Sequence, residues 1–463
     1  MPDHPGYVEG ILVTGSRVFA SGAMFAGLVL ALGGGHYAIA AVAAIPYLAR
    51  LPQLLVPMLV RRRPSATVAQ AAAWLERLGL LLAAAAGILR PDGWAVPGFL
   101  AGLAVAMLGQ SVYDGTMAAL HSEASTPETF GHYNAAKSRW ASMAGLVLGV
   151  LASLAVDATE RVGVPAHVAR ALAIATGVAM HLFVYFALER MRGVAKEHLA
   201  ARRARGRQTV PTPAFVLPVP GERWALVRFA LAWGFATGIS LRQGEAMAIS
   251  ILGVSVGAIT LLNALLVGAG LLGAKTWGRL ADRFGGKGLL SIALVALALD
   301  PLWVIAAMLV HPLLLVPSYF LWGVFNSGWN IAQSMTLVRT RGPVADRIRM
   351  VTVYNVTFGV AAGIAPIVGG AILELVDAHF SARVSYGVLF VVAAALRLSA
   401  YPLLRKMPAP PAERGRYVGA VVVRAVRRAV RRRAAGRTRA IGRIGASLGS
   451  SLLRRERKSK LAA

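Results

Sequence analysis

The chain of 463 residues contains no cysteine, which excludes a disulfide framework, an iron–sulfur cluster and a cysteine-ligated zinc. Its 9 histidines form no HExxH or similar ligand spacing, so no metal site and no cofactor is expected. Neither a nucleotide-binding P-loop nor a nucleophile–base pair is recognisable, and the chain is not expected to be an enzyme. Charge is also scarce: charged residues make up 15% of the chain, apolar ones 57%, and acidic residues number 20 against 49 basic. With a mean hydropathy of +0.61, a soluble globule is excluded.

What is present is long apolar blocks. A spanning helix needs roughly 20 largely apolar residues, and blocks of that kind fall at 11–33, 37–60, 66–89, 94–120, 140–156, 168–188, 224–241, 246–273, 289–310, 312–337, 350–375 and 384–404. The expected fold is an all-α integral membrane protein with twelve transmembrane helices, called spans 1–12 below. The stretches after spans 2, 4, 6, 8 and 10 hold 21 Lys and Arg, a large excess over the other face. Basic loops stay cytoplasmic, so both termini are expected there. Residues 1–10 lack Lys and Arg, so no cleavable leader is expected.

The net charge of +29 is concentrated. Residues 405–463 carry 18 basic and 2 acidic side chains, and 189–223 carry 8 and 3. The charge therefore speaks first about topology rather than nucleic acid. It also divides the chain into residues 1–190, a first six-helix half; 191–223, a basic linker; 224–405, a second six-helix half; and 406–463, a basic tail.

After span 8 the chain reads Gly278-Arg279-Leu280-Ala281-Asp282-Arg283-Phe284-Gly285-Gly286-Lys287. This resembles the G-x-L-A-D-R-x-G-R-K loop signature of the major facilitator superfamily, as does the six-plus-six plan with its long central loop. Gly286 stands where the family favours a basic residue, and the loop after span 2 is only Arg61-Arg62-Arg63-Pro64. The resemblance implies a secondary transporter of a small molecule working by alternating access. It also implies a cytoplasmic latch of Gly278, Asp282, Arg283, Gly285 and Lys287. Arg283 and Lys287 would pair with acids of the opposite half, and Asp346 and Arg347, in the loop after span 10, belong to the same expected latch. In span 11, Gly363, Pro366, Gly369 and Gly370 resemble a helix-bending motif, with close packing as the other reading. Span 5 lacks the corresponding proline, so antiport is not supported.

Ionisable groups inside spans are costly and are usually paired or functional. Arg17, Arg50, Arg77, Arg228 and Arg397 stand against Glu76, Asp114 and Asp300. In the resembled fold, spans 1, 4, 7 and 10 line the cavity, so Arg17 is expected to meet Asp114, either as a proton-coupled gate or as a permanent bridge. Glu76 or Arg77 is expected to meet Arg50, and Asp300 to reach the outer surface. On span 10, Trp322, Asn326, Trp329, Asn330 and Gln333 recur on one helical face. With Gln110, Tyr113 and Asp114 of span 4 and Trp233 of span 7, they are the expected substrate-cavity residues.

Residues 416–433 place valines four apart, with Arg424, Arg427, Arg428, Arg431 and Arg432 opposite. A basic amphipathic helix on an anionic inner leaflet is expected; nucleic acid is disfavoured because the tail offers little for base stacking. The sequence therefore points to a multi-pass, monomeric carrier of the bacterial cytoplasmic membrane, coupled to protons. The excess of intramembrane arginine favours an anionic solute. The alternatives are a non-transporting scaffold or sensor that presents the tail, and a carrier of a lipid-like substrate.

Overall fold

In lipid, each backbone N–H and C=O must be satisfied within the protein, and every regular element among the described residues is helical. The computed structural model describes residues 5–20, 22–89, 93–123, 130–204, 224–338 and 344–407. Eleven helical segments are long and apolar enough to cross a membrane. In order they are Gly6–Ala31, His36–Val60, Ser65–Leu89, Ala95–Met117, Ala136–Arg161, Ala166–Val194, Trp224–Ser250, Val256–Ala281, Gly286–Leu309, Val353–Asp377 and Ala382–Lys406; these are spans 1–9, 11 and 12. Between spans 9 and 11 lies the helix Leu315–Val338, of 24 residues, roughly 36 Å at about 1.5 Å per residue. It is span 10, as long as its neighbours but less apolar because of its Asn, Gln and Ser side chains.

The boundary between spans 7 and 8 differs from the expected one. The polar run 242–245 is inside span 7, which is broken into Trp224–Gly238 and Gln243–Ser250. The true connection is 251–255, where Gly253 takes a φ of +66° and Ser255 caps span 8 by accepting from Ala258 N–H at 3.0 Å. Charge had marked 242–245 as a loop, but Arg242 and Glu245 neutralise each other at 2.8 Å. Span 1 is broken at the corresponding place, into Pro5–Phe19 and Gly22–Ala31. Span 9 is broken before Asp300, which starts the piece Asp300–Leu309 with Pro301 in its first turn, a position that tolerates proline.

Each half has its own apolar core. Leu28, Ile39, Leu80, Phe99, Leu103 and Ile174 anchor the first; Phe229, Trp233, Leu290, Leu294, Trp329 and Leu404 anchor the second. Spans 3 and 4 touch backbone to backbone: a Cβ on Gly79 would stand 2.1 Å from Ala106 N, and one on Gly102 would stand 2.5 Å from Ala83 N. Span 11 does not break at its glycines; the helix Val344–Asp377 runs through Pro366. Its small residues serve close approach instead, Gly363 against Leu48, Gly369 against Ile239 O, and Gly370 against Ala40 and His36 O.

The hydrogen bonds and ion pairs that join the halves among the described residues lie toward one end, that of the connections 32–35, 162–165, 251–255 and 378–381. They are His36 Nε2 with Asp377 Oδ2 at 2.6 Å, Ser153 Oγ to Gly257 O at 2.6 Å and Ser255 Oγ to Asp157 Oδ2 at 3.1 Å. This is called the distal end here; the opposite, proximal end holds the span 8–9 turn and the end of span 12. There Gly285, at φ +81°, turns the chain, and Lys287 Nζ donates to the carbonyl of Arg405 at 2.8 Å and to that of Met407. A helix C-terminus of its own half takes the ammonium, as exposed end carbonyls favour a cation. Gly278 has open space where a Cβ would stand. The side chains of Asp282, Arg283, Asp346 and Arg347 lie outside the described residues, as do Arg424, Arg427, Arg428, Arg431 and Arg432 of the tail.

Candidate substrate cavity and ion-pair networks

The expected cavity residues divide between two cavities. Trp233, Trp322, Asn326, Trp329, Asn330 and Gln333 line a cavity of about 470 Å³, within the ~300–1,000 Å³ of small-molecule sites. Arg17, Tyr113 and Asp114 line a second cavity of about 330 Å³ in the first half. Gln110 lines neither.

The helical face of span 10 lies against the broken span 7. Trp233 stacks on Trp329 with centroids 4.5 Å apart, and Trp329 Nε1 donates to Gln333 Oε1 one turn on, at 2.7 Å. The amides of Asn326, Asn330 and Asn355 line the same cavity and have no side-chain hydrogen bond among the described residues. Tyr354 is buried in the wall, and its hydroxyl has no partner. Asn330 and Asn355 are exposed to the open volume, whereas the Tyr354 hydroxyl is a buried polar atom without a partner among the described residues, a rare state in a finished core.

The cavity's floor was not legible in the sequence. Arg397 of span 12, 4% exposed, reaches across to the ends of two broken helices. Its Nη1 donates to Leu297 O at 2.9 Å, its Nη2 to Ser240 Oγ at 3.2 Å and its Nε to Ala236 O at 3.4 Å. Asp300 lies 3.5 Å from Nη1 and accepts from Ser318 Oγ at 2.7 Å. Asp300 thus lines the cavity rather than reaching the outer surface, because the break in span 9 turns its carboxylate inward toward the guanidinium. Nearer the distal end, Glu245 accepts from Arg242 at 2.8 Å and from Asn263 at 3.4 Å. Arg242 adopts φ +63°, a region unfavourable for a side-chain-bearing residue by roughly 1–2 kcal/mol. Its guanidinium lies where a Cβ on Gly22 would stand, 1.9 Å from Cζ, so the breaks of spans 1 and 7 meet across the two halves.

In the second cavity, Arg17 donates to both oxygens of Glu76, at 3.2 and 3.3 Å, and to Asp114 Oδ1 at 2.9 Å. Glu76 therefore meets Arg17 and not Arg50. Arg77 points elsewhere and donates to His181 O at 2.6 Å, closing the end of the helix Ala166–Leu182. Adjacent helical residues diverge by about 100°, which is why the two neighbours do not share a partner. Beside Arg17, the buried Glu9 accepts from Tyr113 Oη at 2.7 Å, and its other oxygen lies 3.1 Å from Lys137 Nζ as an ion pair. His121 touches Lys137 and lies 2.8 Å from Tyr133 Oη through Nδ1. Burial, and then the Glu9 charge, raise the Tyr133 phenol above its usual range, so it stays a hydrogen-bonding hydroxyl. Sequence reasoning missed Glu9 because it fell outside the first apolar block. Glu9, Val13 and Arg17 recur every four residues, the spacing of one helical face, and that pattern could have found it.

Residues 243–441 match the model of the Major Facilitator Superfamily. No curated protein matches the chain in sequence. A point mutant of the nucleoside transporter NupG superposes with a TM-score of 0.68 at 13% identity, covering 88% of this chain and 99% of that one. A bacterial homologue of the iron transporter ferroportin, in an inward-facing state, gives 0.56 at 16%, over 87% and 97%. A mutant of the peptide transporter POT gives 0.59 at 16%, over 87% and 96%.

Proposed function

We propose that this chain, whose residues 243–441 match the Major Facilitator Superfamily model and whose fold is similar to that of solved membrane transporters, is a multi-pass secondary carrier of a small solute. The solute occupies the 470 Å³ cavity, and transport proceeds by alternating access between the halves 1–190 and 224–405. The observation that carries this reading is the placement of the inter-half bonds. Toward the distal end the halves are tied through His36–Asp377 and through Asp157 and Ser153 with span 8, while the cavity lies behind those ties. The polar groups of these distal ties are few, so they can be exchanged for solvent when that end opens. In this reading the structure is the inward-facing state, with both termini in the cytoplasm.

Coupling to protons rests on the second cavity. Glu9, Glu76 and Asp114 face the cations Arg17 and Lys137, with Tyr113 and His121 also on Glu9, so a proton taken by one carboxylate releases a cation to the others and loosens spans 1, 4 and 5. A switch of that kind needs a pair whose balance changes with hydration.

Cross-linking the distal end tests the reading. The Ala40 Cβ stands 3.0 Å from the place of a Cβ on residue 370, within about half an ångström of the ~3.5–4.5 Å of a disulfide. The natural chain has no cysteine to interfere. In proteoliposomes, Ala40→Cys/Gly370→Cys is expected to lose solute flux on oxidation and to regain it on reduction, with the single variants indifferent to both. Flux that persists in fully cross-linked protein would rule out opening at that end.

A further inference from the structure

Three arginines line the larger cavity: Arg50, Arg242 and Arg397. Two are matched, Arg242 by Glu245 at 2.8 Å and Arg397 by Asp300 at 3.5 Å. The Arg50 side chain has no hydrogen bond or ion pair among the described residues; its guanidinium lies 5.0 Å from the centroid of the Tyr47 ring. The wall therefore carries one surplus positive charge, contributed by span 2 of the first half to a cavity built mostly by the second.

Arg50 is exposed to the cavity. It follows the helix His36–Leu48, and its own N–H bonds to Tyr47 O at 3.2 Å, so the end carbonyls of that helix favour its charge. Its planar fork of N–H groups is left open, and a fork of that geometry matches a carboxylate in two parallel hydrogen bonds. One surplus charge fits a monoanion; a dianion would leave the cavity net negative.

The rest of the wall specifies the body of the solute. From Arg50 the aromatic surface continues through Tyr47 to Phe358, 6.3 Å away, and to Tyr354, stacked 6.2 Å further. Trp322 and Trp329 line the same volume. Aromatic faces hold flat rings by offset or edge contacts. The open amides of Asn330 and Asn355, next to the Tyr354 hydroxyl, which is buried and unpartnered among the described residues, then offer hydrogen bonds to a polar substituent.

We propose that the solute is a small aromatic monocarboxylate, its carboxylate on Arg50, its ring along the Tyr47–Phe358–Tyr354 wall and a hydrogen-bonding substituent near Tyr354. This rests on the cavity being the transport site. Because Arg50 belongs to one half and the amides to the other, such a solute bridges the two halves when bound.

Calorimetric titration of the full chain in lipid nanodiscs tests it, with 4-hydroxybenzoate and the neutral isostere 4-hydroxybenzamide as probes. The acid is expected to bind at least about tenfold more tightly, about 1.4 kcal/mol. Arg50→Gln is expected to bring the two affinities together, and Arg50→Lys to retain part of the preference. Arg50 is exposed and has no hydrogen bond or ion pair to lose among the described residues, only its place over the Tyr47 ring, so both variants are expected to melt within about a degree of the natural protein. Equal affinities in the natural protein, an unchanged preference in Arg50→Gln, or no binding of the acid up to about 10 mM would each overturn the proposal. Failure here with a distal cross-link that still stops flux removes the substrate class alone; flux indifferent to the cross-link removes the carrier reading beneath it.

Discussion

Arg397→Leu is expected to give a chain that no longer purifies as a monodisperse species, or one that melts far below the natural protein. The guanidinium is 4% exposed and answers four acceptors at once: Leu297 O, Ala236 O, Ser240 Oγ and Asp300. Two of these are carbonyls at the ends of interrupted helices, which have no partner within their own helix. Removing one member of a buried ion pair typically destabilises by about 3–5 kcal/mol, and each orphaned buried acceptor adds about 1–3 kcal/mol. Arg397→Lys is expected to fall almost as far, because an ammonium cannot reproduce the planar fork that meets acceptors on spans 7 and 9 together. Thermal melting in one detergent checks both. Melting of Arg397→Leu within about a degree of the natural protein would mean that these acceptors do not depend on Arg397.

Arg17→Leu is the second substitution with a large expected effect, for a different reason. Glu76, whose side chain is only 2% exposed, would lose both of its hydrogen bonds, and Asp114 would lose its cation. The expected loss is again about 3–5 kcal/mol. The double variant Arg17→Leu/Glu76→Leu is expected to regain most of it, because an apolar pair in place of a buried ion pair leaves no stranded charge. Asp114 faces the second cavity with 43% of its side chain exposed, so Asp114→Asn is expected to fold normally. Its signature is functional: solute uptake should lose its dependence on a pH gradient while binding in the larger cavity persists. Uptake by Asp114→Asn that follows the gradient as before would remove Asp114 from the proton path.

The contrast between these two arginines shows what the sequence could disclose. Eleven of the twelve apolar blocks, and their order, were readable because a lipid-facing helix must be apolar along its whole length. The polar face of span 10 was readable because Trp322, Asn326, Trp329, Asn330 and Gln333 keep helical register. Arg17 and Asp114 were readable as partners through the resembled fold. Glu76 was not, because span 3 was set outside the cavity and its helical phase was not anchored to any neighbour. Arg397 and Asp300 were invisible as a pair: they lie in different helices, and the geometry that joins them is a break in span 9. The Asp300-Pro301 step signals such a break locally, yet the partner that fills it comes from span 12. Arg242 and Glu245 were misplaced for a simpler cause, since three polar residues and a glycine in a row read as a loop until the two charges are seen to cancel within a span.

The central claim is that one cavity is reached from each side of the membrane in turn. A single cysteine at Asn326, a cavity residue of span 10, in this otherwise cysteine-free chain measures that directly. Sealed membrane vesicles of each orientation are treated with a membrane-impermeant maleimide, and the modified fraction is followed with time. Modification from both faces is expected, faster from the face carrying the termini. Adding the Ala40→Cys/Gly370→Cys disulfide, formed before labelling, should stop only the reaction from the other face. A cysteine modified from one face alone, under every condition of pH and solute, would contradict alternating access.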